Sequence, residues 1–353
     1  MFQSTIRISP TTTPTRWQIP SRCLLIFVLL LSAWSFSLYS GPQPPLAPPP
    51  DEVTDGALYT AIAGRIAKGE SYYQAAPIEH RLRHFPLRPA VAVRPPLLAE
   101  ITASVGGPVA IGWLLRLTAL ATFVALSLRF ARDISDAPTR MAAMILAAFS
   151  IVILVPMPLA MLHDVWAGML VALALALRRP GHWGISLAIA LTAAVMRELA
   201  LPLLIVMGFS ALIEKRWREA VAWAAAFVTA SVLLTMHWVH IATVTNPGDL
   251  ASEGWLRAMG WPWVVHVFSM TNLLQFLPAA IGAALVPVAI LGWATVERGL
   301  ALRITLWMVG MGCVFMVFGR DQNYYWGALV APILPIGLAF APTGISRIFR
   351  AAR

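Results

Sequence analysis

Ionisable side chains are scarce in this sequence, and several stand where a charge is expensive. Arg116, Arg197 and Arg320 are each flanked by apolar residues, and His163-Asp164 interrupts an apolar run between Met161 and Val165. Charges in such surroundings are costly and usually functional. A guanidinium presents several N–H donors in one plane and can take a phosphate bidentately, so the three arginines are candidates for an anionic ligand. The acids gather elsewhere, at Asp51, Glu52 and Asp55, ahead of a periodic stretch. Asp51 and Glu52 read equally well as charges that favour a helix dipole. Asp55 stands at the helix start with Tyr59 one turn on, so it faces whatever the helix packs against, and a carboxylate placed there can take a proton.

Other constellations carry weaker chemistry. The neighbouring His163 and Asp164 suit a structural hydrogen-bonded pair, while a divalent ion (Mg or Mn) shared between Asp55 and Asp164 is the alternative. His237 and His240 share a helix face and with His266 resemble a zinc set. No cysteine or acid lies at ligand spacing, so interface anchoring beside Trp238 is the expectation, and no metal-ligand residue is assigned. Residues 245–270 are expected to form a loop containing Asp249, Glu253, Trp255, Arg257, Trp261 and Trp263. Its tryptophans suit either sugar stacking or an aromatic belt. Cys23 and Cys313 lie in apolar runs and imply no disulfide framework. The chain contains no phosphate-binding loop, no dinucleotide fingerprint and no repeat of fixed period, which argues against nucleotide-driven transport.

The elements that position these residues follow from composition. Of 353 residues 59% are hydrophobic and 12% charged, about half the charge of an ordinary soluble domain, so most of the chain is expected to be a transmembrane bundle. Apolar runs at 23–39, 107–128, 141–156, 159–177, 183–196, 199–213, 220–240, 272–296, 302–318 and 324–342 give about ten helices. The formal charge of +10 is read as a topology signal, because basic residues hold short loops on the cytoplasmic side, and no nucleic-acid partner is expected. With cytoplasmic termini, the N-terminal segment, the even-numbered loops and the C-terminal tail hold 16 of the 26 basic residues. That count requires two short helices meeting near Arg197 and Pro202. Helices of about 15 residues span only about 22 Å, so the junction should sit in a recess, buried in protein or wet.

The expected organisation is a cytoplasmic tail (1–22), a transmembrane domain (23–343) with a long first extracytoplasmic loop (41–106), and a basic cytoplasmic tail (344–353). The loop opens with a Pro-rich spacer at 41–50, followed by a stretch in which Leu58, Ile62 and Ile66 recur at helical spacing. This predicts an amphipathic interfacial helix with Thr54 or Asp55 as its cap and Gly69 as its stop.

The run Asp55-x3-Tyr59-x2-Ile62, ending in a glycine before Tyr72-Tyr73, resembles the first-loop motif of the C-type glycosyltransferases. These polytopic enzymes use polyprenyl- or dolichyl-phosphate sugars and include protein O-mannosyltransferases and the aminoarabinose transferase of lipid A. Residues 81–96, with Arg88 and Arg94 before prolines, resemble the family's segment ahead of the second membrane helix. Arg116-Leu117, Asp164 after Pro156 and Pro158, and Arg197-Glu198 resemble further family positions, and Arg320 to Tyr325 resembles a stretch before the last helix. The likeness covers roughly 51–213 and 320–342. No soluble C-terminal domain like that of many members is expected, and Asp51-Glu52 offers a competing acid pair if the register shifts.

The resemblance implies catalysis by Asp55 with Asp164 as a second acid, and donor-phosphate contacts from Arg116, Arg197 and Arg320. Tyr59, Arg88, Arg94, His163, Glu198 and Tyr324 are the implied supporting residues. For 319–325, donor contact and a plain turn weigh equally. The implied partners are a polyprenyl-phosphate sugar, membrane lipids and a glycan, lipid or protein acceptor. The implied place is a plasma or inner membrane crossed many times. A transporter or lipid flippase is the alternative; such proteins place broken polar segments near the midplane, whereas here the charges collect towards one face.

Overall fold

The computed structural model describes residues 21–40, 54–296 and 299–351. The competing acids Asp51 and Glu52, the Pro-rich spacer and residues 1–20 of the N-terminal tail lie outside them. Among the described residues the fold is all helical, with isolated bridges and no strand. Three helices are long and apolar enough to cross a membrane: α5 (Pro108–Asp133), α10 (Trp217–Val244) and α13 (Gly299–Val317). Six shorter apolar helices accompany them: α1 (Ser21–Leu38), α6 (Ala137–Val152), α7 (His163–Leu177), α8 (Gly184–Met196), α9 (Leu201–Ile213) and α12 (Ala279–Ala294). In the first loop lie α2 (Asp55–Ile66), α3 (Tyr72–Leu82) and α4 (Leu97–Ser104), and later in the chain α11 (Gly260–Met270) and α14 (Gly337–Ala351).

α7 is the centre of the bundle. All its residues except Leu170 and Leu177 are buried, and it packs against α5, α8 and the segment Asp321–Leu329. The close approach to that segment depends on Gly168, where a Cβ would lie 1.9 Å from the Ala328 carbonyl oxygen.

Two sequence expectations change here. The run 324–342 is not one helix: a 3-10 segment Asp321–Leu329 and turns precede α14. Pro332 and Pro335 supply no N–H and clash with the preceding turn, and two of them three residues apart disfavour an α-helix here, although single prolines are carried inside α12 (Pro287) and α14 (Pro342). Residues 326–337 are all buried, which is how irregular backbone is tolerated inside a bundle. α14 then continues to residue 351, through most of the segment read as a tail. The second change is α11, read as loop: it buries Trp263, Val264, Val265, Val267 and Phe268, so Trp263 is a core residue and not part of an aromatic belt.

The chain breaks between α8 and α9 at Arg197, whose φ of −148° is extended, and resumes through a 3-10 turn at Glu198–Ala200. The junction is buried in protein. In the first loop, Thr54 caps α2 by accepting the Ala57 N–H at 3.3 Å, and Gly69, with φ +95°, follows the helix end. α2 turns Leu58, Tyr59, Ile62 and Ala63 inward against α3, α4 and the 3-10 segment Met157–Met161. A bidentate pair from Arg81 to Asp249 (2.7 and 2.8 Å) and the Leu87 and Arg88 amides on the Leu250 carbonyl fasten this loop to the chain after α10.

The opposite end of the bundle is held by a second ionic cluster. Arg178, at the end of α7, donates to both oxygens of Glu214 (2.7 Å each) and to Glu219 (2.7 Å), and Arg303 of α13 reaches Glu214 at 3.2 Å. Arg129 of α5 closes onto the Arg178 carbonyl at 3.2 Å.

Candidate functional site

The loop end of α7 gathers residues from five parts of the chain. His163 and Asp164 open that helix, each about 2% exposed. The break after α8 turns Arg197 inward, where its Nε donates to Asp164 Oδ1 at 2.8 Å and its Nη1 meets Glu198. Arg94 enters from the loop ahead of α4, lies 3.5 Å from Glu198 and acts electrostatically on the Tyr59 hydroxyl. The Tyr59 ring stands edge-on to the His163 ring, centroids 4.7 Å apart. From the segment 321–329, Trp326 stacks its ring 5.6 Å from the Arg197 guanidinium carbon. Tyr325 shares the electrostatic field of Asp55, Arg94, Asp164 and Arg197.

Asp55 differs from the other acids of this cluster. Asp164 and Glu198 are engaged by guanidiniums, whereas half-buried Asp55 makes no hydrogen bond or ion pair with any described residue. Its charge is felt by Tyr59 and Tyr325. Burial first, then the neighbouring Asp55, pushes the Tyr59 hydroxyl well above its ordinary range, so it remains a proton-bearing donor at neutral pH.

Several buried polar atoms here have no partner of hydrogen-bond geometry: Arg197 Nη2, both ring nitrogens of His163, which has the Pro95 carbonyl on one side, and Trp326 Nε1. Each unpaired buried group costs roughly 1–3 kcal/mol. Concentrated beside two guanidiniums, they form a surface suited to an anion with further oxygen acceptors. Half-buried Asp55, a neighbour of Tyr59 and Tyr325, supplies the uncommitted carboxylate at this end.

The remaining sequence-predicted residues stand apart from this contact network or at its rim. Arg320 stacks on Trp255 at 4.5 Å and donates to Ser252 Oγ at 2.9 Å, while its charge still acts on the site through Tyr325 and Arg94. Tyr324 packs edge-on against Tyr325. Arg116 lies 4.7 Å over Trp113, its one recorded partner among the described residues, and Trp113 is exposed. Arg88 donates its Nε to the Asp249 carbonyl at 3.0 Å and belongs to the loop fastening. The three histidines of the zinc-like set are occupied by aromatic packing: His237 with Tyr72 and Tyr73, His240 with Tyr73 at 3.8 Å, and His266 with Tyr39 and Trp263. Among the described residues no three His, Cys, Asp or Glu side chains are grouped as metal ligands.

Sequence reasoning included Tyr325 only as part of the stretch 319–325, without a role of its own, and missed Trp326. The aromatic run Tyr324-Tyr325-Trp326 directly after the polar turn was the available signal, but only the break at Pro332 and Pro335 keeps that run beside α7. Comparisons of the chain with family models, with curated proteins and with solved structures return no match.

Proposed function

We propose that the chain is an integral membrane glycosyltransferase that moves a sugar from a polyprenyl-phosphate donor to an acceptor, with its reaction centre at the loop end of the bundle. Asp55 takes the acceptor proton. Arg94 and Arg197, with the free Nη2 of Arg197, hold the phosphate as negative charge develops on the leaving oxygen. The loop end faces the extracytoplasmic side of a plasma or inner membrane, the apolar helices span it, and both termini are cytoplasmic. The observation that carries the reading is an uncommitted carboxylate at Asp55 that shares the neighbours Tyr59 and Tyr325 with a buried guanidinium pair, Arg94 and Arg197, in which Arg197 Nη2 has no partner.

The reading names Arg94 as a phosphate ligand beside Arg197, keeps Arg320 at the rim and leaves Arg116 at the lipid-facing surface. A divalent ion is not needed for it, since Asp164 is engaged by Arg197. The test is transfer from a polyprenyl-phosphate sugar by purified protein. Asp55→Asn should lower the rate about 10²- to 10⁴-fold with an unchanged melting curve, and Asp51→Asn should be mild. Full activity in both variants rejects the proposal, and an inactive Asp51→Asn beside an active Asp55→Asn moves the base four residues upstream.

A further inference from the structure

Arg94 sits on an irregular stretch of the first loop, yet its side chain is committed to one direction. The sequence restricts the backbone there: Pro95 and Pro96 follow, and a residue before proline is held to extended conformations. Two side chains from other elements then grip the peptides on either side. His237, deep in α10 and 3% exposed, donates its Nε2–H to the Val93 carbonyl at 3.1 Å. Tyr72, the first residue of α3 and 4% exposed, donates its hydroxyl to the Arg94 carbonyl at 2.5 Å. The two rings lie 6.0 Å apart, and Tyr73 packs on His237 as well. Both donors are buried, both acceptors are main-chain oxygens, and neither donor makes a hydrogen bond to Asp164, Arg197 or Glu198.

From this arrangement we infer that His237 and Tyr72 are positioning residues for Arg94, orienting its guanidinium towards Tyr59 and Glu198 and hence towards the anionic part of the substrate. The inference rests on the reading of Arg94 as a phosphate ligand, and it gives the histidine a function unrelated to metal binding or interface anchoring. His237 is the more informative of the two. Phe in its place keeps the aromatic packing and removes the donor, whereas Gln restores an N–H close to the position of Nε2.

The experiment uses the full chain in lipid nanodiscs with undecaprenyl monophosphate as the binding probe. Arg94→Ala sets the full effect of losing the guanidinium. His237→Phe should weaken binding about five- to tenfold, the size of one hydrogen bond acting through geometry, and His237→Gln should recover most of it. In the Arg94→Ala background, His237→Phe should cost nothing further, because the guanidinium it orients is gone. Unaltered binding in His237→Phe overturns the inference, as does an equal loss in the Arg94→Ala background.

A second measurement separates this inference from the proposed function. With Cys23 and Cys313 replaced by alanine, Arg94→Cys is labelled with a bulky maleimide, with and without His237→Phe. If residue 94 is held inward, labelling is slow and becomes several-fold faster when the His237 donor is removed. Absence of probe binding in wild type with this acceleration rejects the phosphate reading and keeps the positioning. An unchanged labelling rate rejects the positioning whatever the binding result.

Discussion

The two ionic clusters of this bundle use the same side-chain types to different ends. At the arginine-rich end, Glu214 is gripped by Arg178 through both oxygens and approached by Arg303 and Arg216, and Glu219 takes Arg178 and the Trp223 indole. Four helices are tied there by charges that answer one another, with the Nε atoms of Arg216 and Arg303 and one oxygen of Glu219 lacking a hydrogen-bond partner. At the loop end the acids are divided. Two are answered by Arg94 and Arg197 while Asp55 is not, and Arg197 Nη2, Trp326 Nε1 and the His163 ring carry atoms without a hydrogen-bond partner. Near-complete mutual pairing marks a structural staple. An unanswered acid in a cluster that keeps unanswered donors is the difference on which the proposed ligand site rests.

The largest expected effect tests that contrast directly. Arg178→Ala leaves Glu214 and Glu219 without their main partner in a buried setting, and losing one member of such a cluster costs about 3–5 kcal/mol. Arg197→Ala takes from buried Asp164 the guanidinium it is hydrogen-bonded to, although Arg94 remains beside Glu198, so a stability loss of comparable size, about 3–5 kcal/mol, is expected, with transfer abolished. Transfer per folded molecule in Arg178→Lys and Arg197→Lys, measured beside their denaturation midpoints, decides the contrast. An equal loss of transfer in both lysine variants would make the two clusters the same kind of object and remove the support for a ligand site.

Gly168→Ala comes next and couples the staple-like core to the site. The added methyl must displace the Ala328 carbonyl from its 1.9 Å approach, a backbone shift that costs about 1–3 kcal/mol. Because Trp326 lies two residues before that carbonyl, transfer should fall together with the melting point. A variant that melts early but retains full activity would show that the segment 321–329 does not position the site.

How much of this was legible beforehand follows from the kind of information each element needs. The apolar helices were readable because burial and length are written in single runs, and the α8–α9 break near Arg197 was readable because the basic residues otherwise fall on both sides. The grouping of Asp55, Tyr59, Arg94, His163, Asp164, Arg197 and Glu198 at one end was suggested by placement along the chain, not by any pairwise spacing. Their partners were not readable: nothing in Arg94-Pro95-Pro96 announces that His237, far along the chain, holds the preceding carbonyl. α11 was missed because a short buried helix flanked by tryptophans has the composition of an interfacial loop. The broken segment at 321–336 was missed because apolarity alone does not distinguish a helix from buried turns, and its prolines were given too little weight.

The smallest expected effect concerns the fastening of the first loop. Arg81 donates two hydrogen bonds to Asp249, and with the Asn246 N–H this holds the Asp249 carboxyl at about 2, below its usual range. A carboxyl with a lowered folded value stabilises the fold fully above its unfolded value of about 3.9, and the contribution disappears as the pH falls through about 2. The Arg81 side chain is 37% exposed, so water screens the pair and its worth is limited to about 0.2–1 kcal/mol. Melting curves of wild type and Asp249→Asn should therefore differ slightly and equally at pH 7 and pH 5, and converge as the pH is lowered below about 4. Because the pair ties the first loop to the chain after α10, Asp249→Asn should also raise the KM for the acceptor more than it lowers kcat. A gap between the two melting curves that persists at pH 2 would mean that the carboxyl acts through packing and not through its charge.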